Sequence, residues 1–264
     1  MSTALITGAS FGIGEAFAQA LAARKTDLIL VARSQEKLNQ IAQELQQKHD
    51  IKVEVLVQDL TAPDAAKSVF EAVTQKGISV DVLINNAGFA TYGAFSESFL
   101  SKQLEMIQLN ILSLVDLTYQ FLPQMQQRGS GTIINLGSIA SYYPMPYMSV
   151  YAATKAFVLS FSEALQAENQ ARGVKVLAVC PGPTKTKFFD VAGFEELASG
   201  SAGNQTSATP ESVAKDTLKA LERQSPTVVS GGFPNRILVN LPRFFPRNTL
   251  VKLIEQRFRP KNMN

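Results

Sequence analysis

The chain has 264 residues, 45% of them hydrophobic and 18% charged, with a net charge of +3. It is long enough to bury a substantial core, too apolar for disorder, and too weakly charged as a whole to be marked as a nucleic-acid binder. One cysteine, Cys180, excludes an intramolecular disulfide; one histidine, His49, excludes a His-rich metal site and any Ser-His-Asp triad not built on it. The start, MSTALITG, has no basic region or long apolar stretch, and no run of about eighteen apolar residues occurs anywhere, so a cytoplasmic protein without a transmembrane helix is expected. In chain order, ALIT (4–7) is the first predicted strand, followed by helical spacing from Gly12 to Arg24. LILVA (28–32) is the second strand, and Ser34 is placed to cap a helix running to about Lys48, with His49 at its solvated end. VEVLV (53–57) is the third strand, Pro63 opens the next helix, and DVLIN (81–85) is the fourth strand. One long helix is predicted from about Glu97 to Gln127, bent near Pro123. GTIINLGS (131–138) holds the fifth strand, 149–171 is helical, and VKVLAVC (174–180) is the sixth strand. Strict alternation of strand and helix, with strands nearly continuous in apolar residues, predicts a doubly wound parallel sheet with helices on both faces. The stretch 184–210 lacks periodicity and is expected to be a mobile loop over the substrate.

Two motifs carry chemistry. TGASFGIG (7–14) joins the first strand to the first helix. Gly8, Gly12 and Gly14 allow a tight turn and close approach of a phosphate, and the helix start offers free N–H groups and a favourable dipole. Three glycines at this spacing exceed the needs of a plain turn, although G-x-x-x-G-x-G departs from G-x-G-x-x-G. Ser10, Phe11 and Ile13 lie between them and complete the candidate cofactor loop. YAATK puts Tyr151 and Lys155 four residues apart, on one helix face. A free phenol near pKa 10 is a poor base at neutral pH, and an adjacent cation is expected to lower that value. Ser138, in NLGSIAS, lies beyond a strand's carboxyl end, where such sheets bind ligands; Ser141, further into the loop, is the weaker candidate.

Taken together, TGASFGIG, NNAG (85–88), Ser138, YAATK and PGPTKT (181–186) resemble the short-chain dehydrogenase/reductase family, in its order and at its usual separations, over roughly residues 3–190. The resemblance implies a single Rossmann-like α/β domain, residues 1–233, and catalytic residues Asn110, Ser138, Tyr151 and Lys155. It places Asp59 and Leu60 at the adenine, and Asn86, Ala87 and Gly88 along the adenosine; for Asn85 and Asn86, fold support and cofactor contact are not separable by sequence. Pro181, Gly182, Thr184 and Thr186 are expected beside the nicotinamide, and Lys155 on its ribose. At the second strand's end, Ala32 stands where NAD-preferring relatives carry an acid, and Arg33, with Ser34, follows. An Arg there can hold the 2′-phosphate, so the expected cofactor is NADP(H).

The expected activity is carbonyl reduction, with no metal required: Ser138 polarises the carbonyl oxygen, Tyr151 supplies the proton, and Lys155 and Asn110 link Tyr151 to solvent. Alternatives are a non-catalytic dinucleotide sensor or scaffold, which such a complete catalytic set disfavours, and an NAD-linked alcohol dehydrogenase, which Ala32-Arg33 disfavours. Tyr142, Tyr143, Met145, Tyr147 and Met148, joined by Phe89, Tyr92, Phe188 and Phe189, suggest an apolar or aromatic substrate. The resemblance also implies a homodimer or homotetramer. Residues 234–264 form a basic amphipathic extension with seven Arg or Lys against one Glu. Contact with a membrane surface is open to it, but packing against the domain is the favoured expectation.

Overall fold

The computed structural model describes residues 2–186, 208–223 and 225–260. Most of the loop expected at 184–210, with Phe188 and Phe189, lies outside them. The apolar runs become strands β1 (Thr3–Thr7), β2 (Asp27–Ala32), β3 (Val53–Val57), β4 (Val82–Asn85), β5 (Gly131–Leu136), β6 (Val174–Pro181) and β7 (Thr227–Ser230). They form one sheet in the order β3-β2-β1-β4-β5-β6-β7, every pair parallel. The order reverses at β1, so the β1–β4 boundary is the switch point where such sheets hold ligands at the strand carboxyl ends. Ile6, Leu30, Ile84 and Ile134 face one buried layer; Leu5, Ile29, Leu83 and Ile133 face the other. Burial on both faces is why these strands read as unbroken apolar runs.

The helices are α1 (Gly12–Ala22), α2 (Gln35–His49), α3 (Ala65–Gln75), α4 (Leu100–Ile107), α5 (Ser113–Arg128), α6 (Ser149–Asn169), α7 (Pro210–Glu222), α8 (Phe233–Asn240) and α9 (Arg247–Phe258). Several expectations change. The long helix predicted over 97–127 is interrupted by a π-turn at Gln108–Leu112, and the helix runs on through Pro123. Ser34 sits at the N-cap of α2 without making a side-chain cap. The helix expected from Pro63 begins at Ala65, because Asp64 adopts a left-handed conformation, φ 54°. β7 was not predicted; TVVS is only half buried at the sheet edge, where the pattern is weak.

Candidate active site

The phosphate-binding turn is shaped by what it cannot hold. Gly8 and Gly12 have φ of +64° and +62°, a region L side chains rarely adopt. At Gly14 a Cβ would run into the Gly8 carbonyl and the Asn86 amide, and at Gly12 it would press on Thr186. The α1 N-cap, Phe11, supplies no side-chain hydrogen bond, so the first N–H groups of α1 are left to an anion. A bare turn leading into an uncapped helix start fits a dinucleotide pyrophosphate. Ser10 is buried, and Ile13 packs into the core below the turn.

The turn is tied to NNAG by a residue that drew no role from the sequence. The Thr7 hydroxyl donates to the Ile84 carbonyl (3.2 Å) and accepts the N–H of Asn86 (2.9 Å) and of Ala87 (3.0 Å). Asn86 Nδ2 donates back to the carbonyls of Thr7 (2.9 Å) and Gly8 (3.2 Å). Asn85 points away: its Nδ2 donates to Asn135 Oδ1 (2.9 Å) and Thr118 Oγ1 (3.1 Å). The two asparagines thus part company, Asn85 joining β4 to β5 and α5, Asn86 bracing the phosphate turn. Thr7 was legible only as part of the motif string.

At the β2 end, Arg33 and Ser34 are exposed, and the Arg33 charge helps hold the Asp59 carboxyl below its ordinary range. The larger cause is Thr61, which donates its backbone N–H (2.9 Å) and hydroxyl (2.7 Å) to that carboxylate. Leu60 is buried in the core. At the β6 end, Thr184 turns inward, its hydroxyl donating to the Gly182 carbonyl (2.9 Å), whereas Thr186 lies beside Gly12. Pro181 ends β6 and is buried. Gly182 has no room for a side chain because Asn235, on α8, fills that space; Asn235 Nδ2 donates to the Ser230 carbonyl (2.9 Å).

Asn110, Ser138, Tyr151 and Lys155 come together across three segments. Ser138 lies two residues past β5, in extended conformation, and caps a short 3-10 turn, Ile139–Ser141. Its Oγ accepts the Ala140 N–H (3.1 Å), and its own N–H goes to Ser141 Oγ (3.2 Å), which donates to the Lys155 carbonyl (2.8 Å). Ser141 is therefore committed to the frame, while Ser138 hydrogen-bonds the Tyr151 phenol. Lys155 Nζ donates to the Leu136 carbonyl (2.7 Å) and stands 5.8 Å from the centre of the Tyr151 ring.

Burial dominates the electrostatics. The phenol of Tyr151 is pushed up to about 12 by burial, with the Ser138 hydrogen bond acting in the opposite direction. The sequence predicted a lowering by Lys155; instead burial raises the phenol, and the downward pull comes from the Ser138 hydrogen bond. Lys155 itself is brought down to about 8 by burial.

Asn110 owes its place to the π-turn. Its Nδ2 donates to the Phe89 carbonyl (3.0 Å) and to Thr154 Oγ1 (3.1 Å), and its Oδ1 accepts the Phe89 N–H (3.1 Å). Thr154, inside YAATK, passes the link on by donating to the Tyr151 carbonyl (2.7 Å). π-turns inside α-helices recur at functional sites. Gly88 closes the floor, since a Cβ there would press on Asn110 Oδ1 and approach Lys155 Nζ.

The substrate side is built from distant pieces. Tyr151 packs in one apolar cluster with Ala90, Met106, Met145 and Met148, flanked by Phe89, Tyr92 and Tyr143. Ile254 and Phe258 of α9 pack on the same cluster. Two hydroxyls fasten α9 there: Tyr92 donates to the Phe258 carbonyl (2.8 Å) and Tyr147 to Glu255 Oε1 (2.9 Å). Tyr147 has a positive φ of 64°, and its carbonyl accepts the Gly93 N–H (2.9 Å). The contribution of α9 was hidden in the sequence, more than ninety residues from YAATK.

Comparison with known proteins identifies the family. The family model described as short chain dehydrogenase matches residues 2–194. A very-long-chain 3-oxoacyl-CoA reductase from Bos taurus is 32% identical over 242 residues, 89% of this chain and 72% of the relative. Sulfoacetaldehyde reductase 2 from Chromohalobacter salexigens is 38% identical over 186 residues, 70% of this chain and 73% of the relative. A solved short-chain dehydrogenase from Sphingobium yanoikuyae in complex with NADPH superposes with a TM-score of 0.80 at 34% identity, covering 87% of each chain. The bulky-bulky ketone specific alcohol dehydrogenase from Comamonas testosteroni gives a TM-score of 0.80 at 27% identity, over 100% of this chain and 98% of the other. The match over the strands, the phosphate turn and YAATK alike places the chain in the short-chain dehydrogenase/reductase family, as an oxidoreductase.

Proposed function

We propose that this oxidoreductase uses NADPH to reduce the carbonyl of an apolar or aromatic substrate, with Tyr151 as general acid. The observation that carries the proposal is the hydrogen bond between half-buried Ser138 and buried Tyr151, with the Lys155 ammonium behind the ring. Gly8, Gly12 and Gly14 would hold the pyrophosphate, Arg33 the 2′-phosphate, and Thr186 and Lys155 the nicotinamide end. When bound, the reduced nicotinamide supplies the hydride.

The chain's own residues manage the proton. A phenol pushed up to about 12 by burial carries its proton at neutral pH, and the Ser138 hydrogen bond, acting in the opposite direction, favours its release. Ser138 donates a hydrogen bond to the carbonyl oxygen and holds it beside Tyr151 Oη, where charge develops. After proton transfer, the Lys155 charge stabilises the phenolate. Asn110 acts as a positioning residue, holding Phe89 and Thr154 so that Lys155 and Tyr151 keep their separation. The preference for NADPH rests on Ala32, which offers no carboxylate to repel a phosphate, and on exposed Arg33 next to it. The NADPH complex of a relative supports the same choice.

The wall of Met145, Met148, Tyr143, Ile254 and Phe258 favours an apolar chain or ring beside the carbonyl. Relatives named for a 3-oxoacyl-CoA and for a bulky ketone fit that wall. The same chain is proposed to form a homodimer through α4–α6, which leave Leu104, Leu112, Tyr119 and Phe157 exposed.

The deciding experiment follows NADPH and NADH consumption across aldehydes, ketones, diketones and 3-oxoacyl thioesters. NADPH-dependent reduction of an apolar member is expected, and equal use of NADH would overturn the cofactor assignment. NADPH binding without turnover of any carbonyl would favour the sensor instead.

A further inference from the structure

Packing α9 against the substrate cluster uses only one of its faces. Leu250, Ile254 and Phe258 turn inward, while Leu253 remains 56% exposed. The preceding helix is more unbalanced still. On α8, Asn235 and Val239 are buried, yet Phe233 is 74% and Ile237 48% exposed, and Phe244, just beyond, is 79% exposed. Phe233 and Ile237 are one helical turn apart on the same face. With Arg236, Asn240, Leu241 and Phe244 they line a single open apolar groove of about 390 Å³. A soluble surface seldom leaves two phenylalanines and an isoleucine together in water without a partner.

The charge around the groove says which partner. Residues 233–260 carry six Arg or Lys and one Glu, so the positive excess of the chain gathers here. That glutamate, Glu255, is taken by Arg259 (2.8 Å) and by the Tyr147 hydroxyl. Arg236, Arg243, Arg247, Lys252 and Arg257 form no ion pair with a carboxylate among the described residues. Exposed aromatic and aliphatic side chains set among unpaired cations match an anionic lipid surface: rings enter the headgroup boundary and cations meet phosphates. A second copy is a poor occupant, because a twofold contact would set this cationic surface against itself. Among the described residues no helix is long and apolar enough to cross a membrane, so the contact would be peripheral.

We propose that α8 and the following turn, with Phe233, Ile237 and Phe244 as anchors and Arg236 and Arg243 as headgroup contacts, dock this enzyme on an anionic bilayer. The docking face is joined to the catalytic side. α8 packs against the Ile139–Ser141 turn, and the Arg243 charge acts on Tyr142 in the same loop. Substrate partitioned in the bilayer would thus reach the apolar wall close to where the protein touches lipid.

The test is cosedimentation of the full chain with vesicles of phosphatidylcholine alone, or with about one third phosphatidylglycerol. The chain is expected to sediment with the anionic vesicles and weakly with the neutral ones. A variant carrying F233S, I237S and F244S should lose roughly tenfold or more of that binding, with its NADPH-dependent turnover of a water-soluble carbonyl unchanged. R236Q with R243Q should lose the preference for anionic vesicles. Undiminished sedimentation of the triple variant would overturn the proposal. So would failure of the wild-type chain to bind, with light scattering showing that the triple variant instead breaks a dimer. Since solution turnover is read separately, a failure of the catalytic assignment would not be mistaken for a failure to dock.

Discussion

The two ends of the site's sheet edge are built by different means. Over β1, β2 and β4 the surface is main chain: glycines with no room for a side chain, braced by Thr7 and Asn86 from within a few residues of the motifs themselves. Over β5, β6 and β7 it is side chains brought from far apart: Met145 and Tyr147 from a loop, Asn235 from α8, Ile254 and Phe258 from α9. A main-chain surface binds what every dinucleotide shares, the pyrophosphate, and tolerates little change. A side-chain surface can be altered one residue at a time, which is how one fold serves many substrates.

This contrast predicts where substitutions act. Tyr151→Phe removes the proton donor without disturbing the ring's packing, and kcat for carbonyl reduction should fall on the order of 10²- to 10⁴-fold. Full retained activity would mean that the proton comes from elsewhere. Gly14→Val should nearly abolish cofactor binding by titration calorimetry, because its side chain must displace the Gly8 carbonyl or the Asn86 amide. If only substrate KM rose, the division between the two surfaces would fail. Ala32→Asp sets a carboxylate against the 2′-phosphate and should shift preference toward NADH by roughly tenfold or more in kcat/KM. Tyr147→Phe deletes the bond to Glu255 on the substrate side alone. It should lower thermal stability slightly and change KM for bulky carbonyls severalfold, leaving KM for NADPH untouched.

A further prediction is a matter of linkage. The folded protein holds Lys155 at about 8 against an ordinary 10.5, so between those values the unfolded chain binds more protons. The Lys155 contribution to stability therefore rises with pH across that window, is constant below it, and is complete above it. In Lys155→Met the rise is lost, and the stability difference between variant and wild type in urea should change with pH only from about 8 to 10.5. A difference independent of pH would show that Lys155 is not buried as a cation.

The first six strands and their alternation with helices were legible because the inner strands are buried on both faces, the edge strand β3 still carries four valines and leucines, and the helices are buried on one face. The sequence also singled out Ser138, Tyr151 and Lys155, and the structure brings these three side chains together near the start of α6. Three features escaped it for separate reasons. The π-turn around Asn110 has the same apolar spacing as the α-helix on either side, so one continuous helix was the natural expectation. β7 is short and half exposed. The acidity of Tyr151 is set first by burial, with the Ser138 hydrogen bond opposing it, and burial is not written in a pentapeptide.

By itself the sequence determined the fold class, the phosphate turn and the Tyr-Lys pair, since each depends on residues adjacent in the chain or one helical turn apart. Only the tertiary structure decided that Asn85 and Asn86 have different partners, that burial raises the Tyr151 phenol, and that α9 packs on the cluster around Tyr151. These depend on which surfaces meet after folding, where burial and hydrogen-bond geometry over long separations outweigh local pattern.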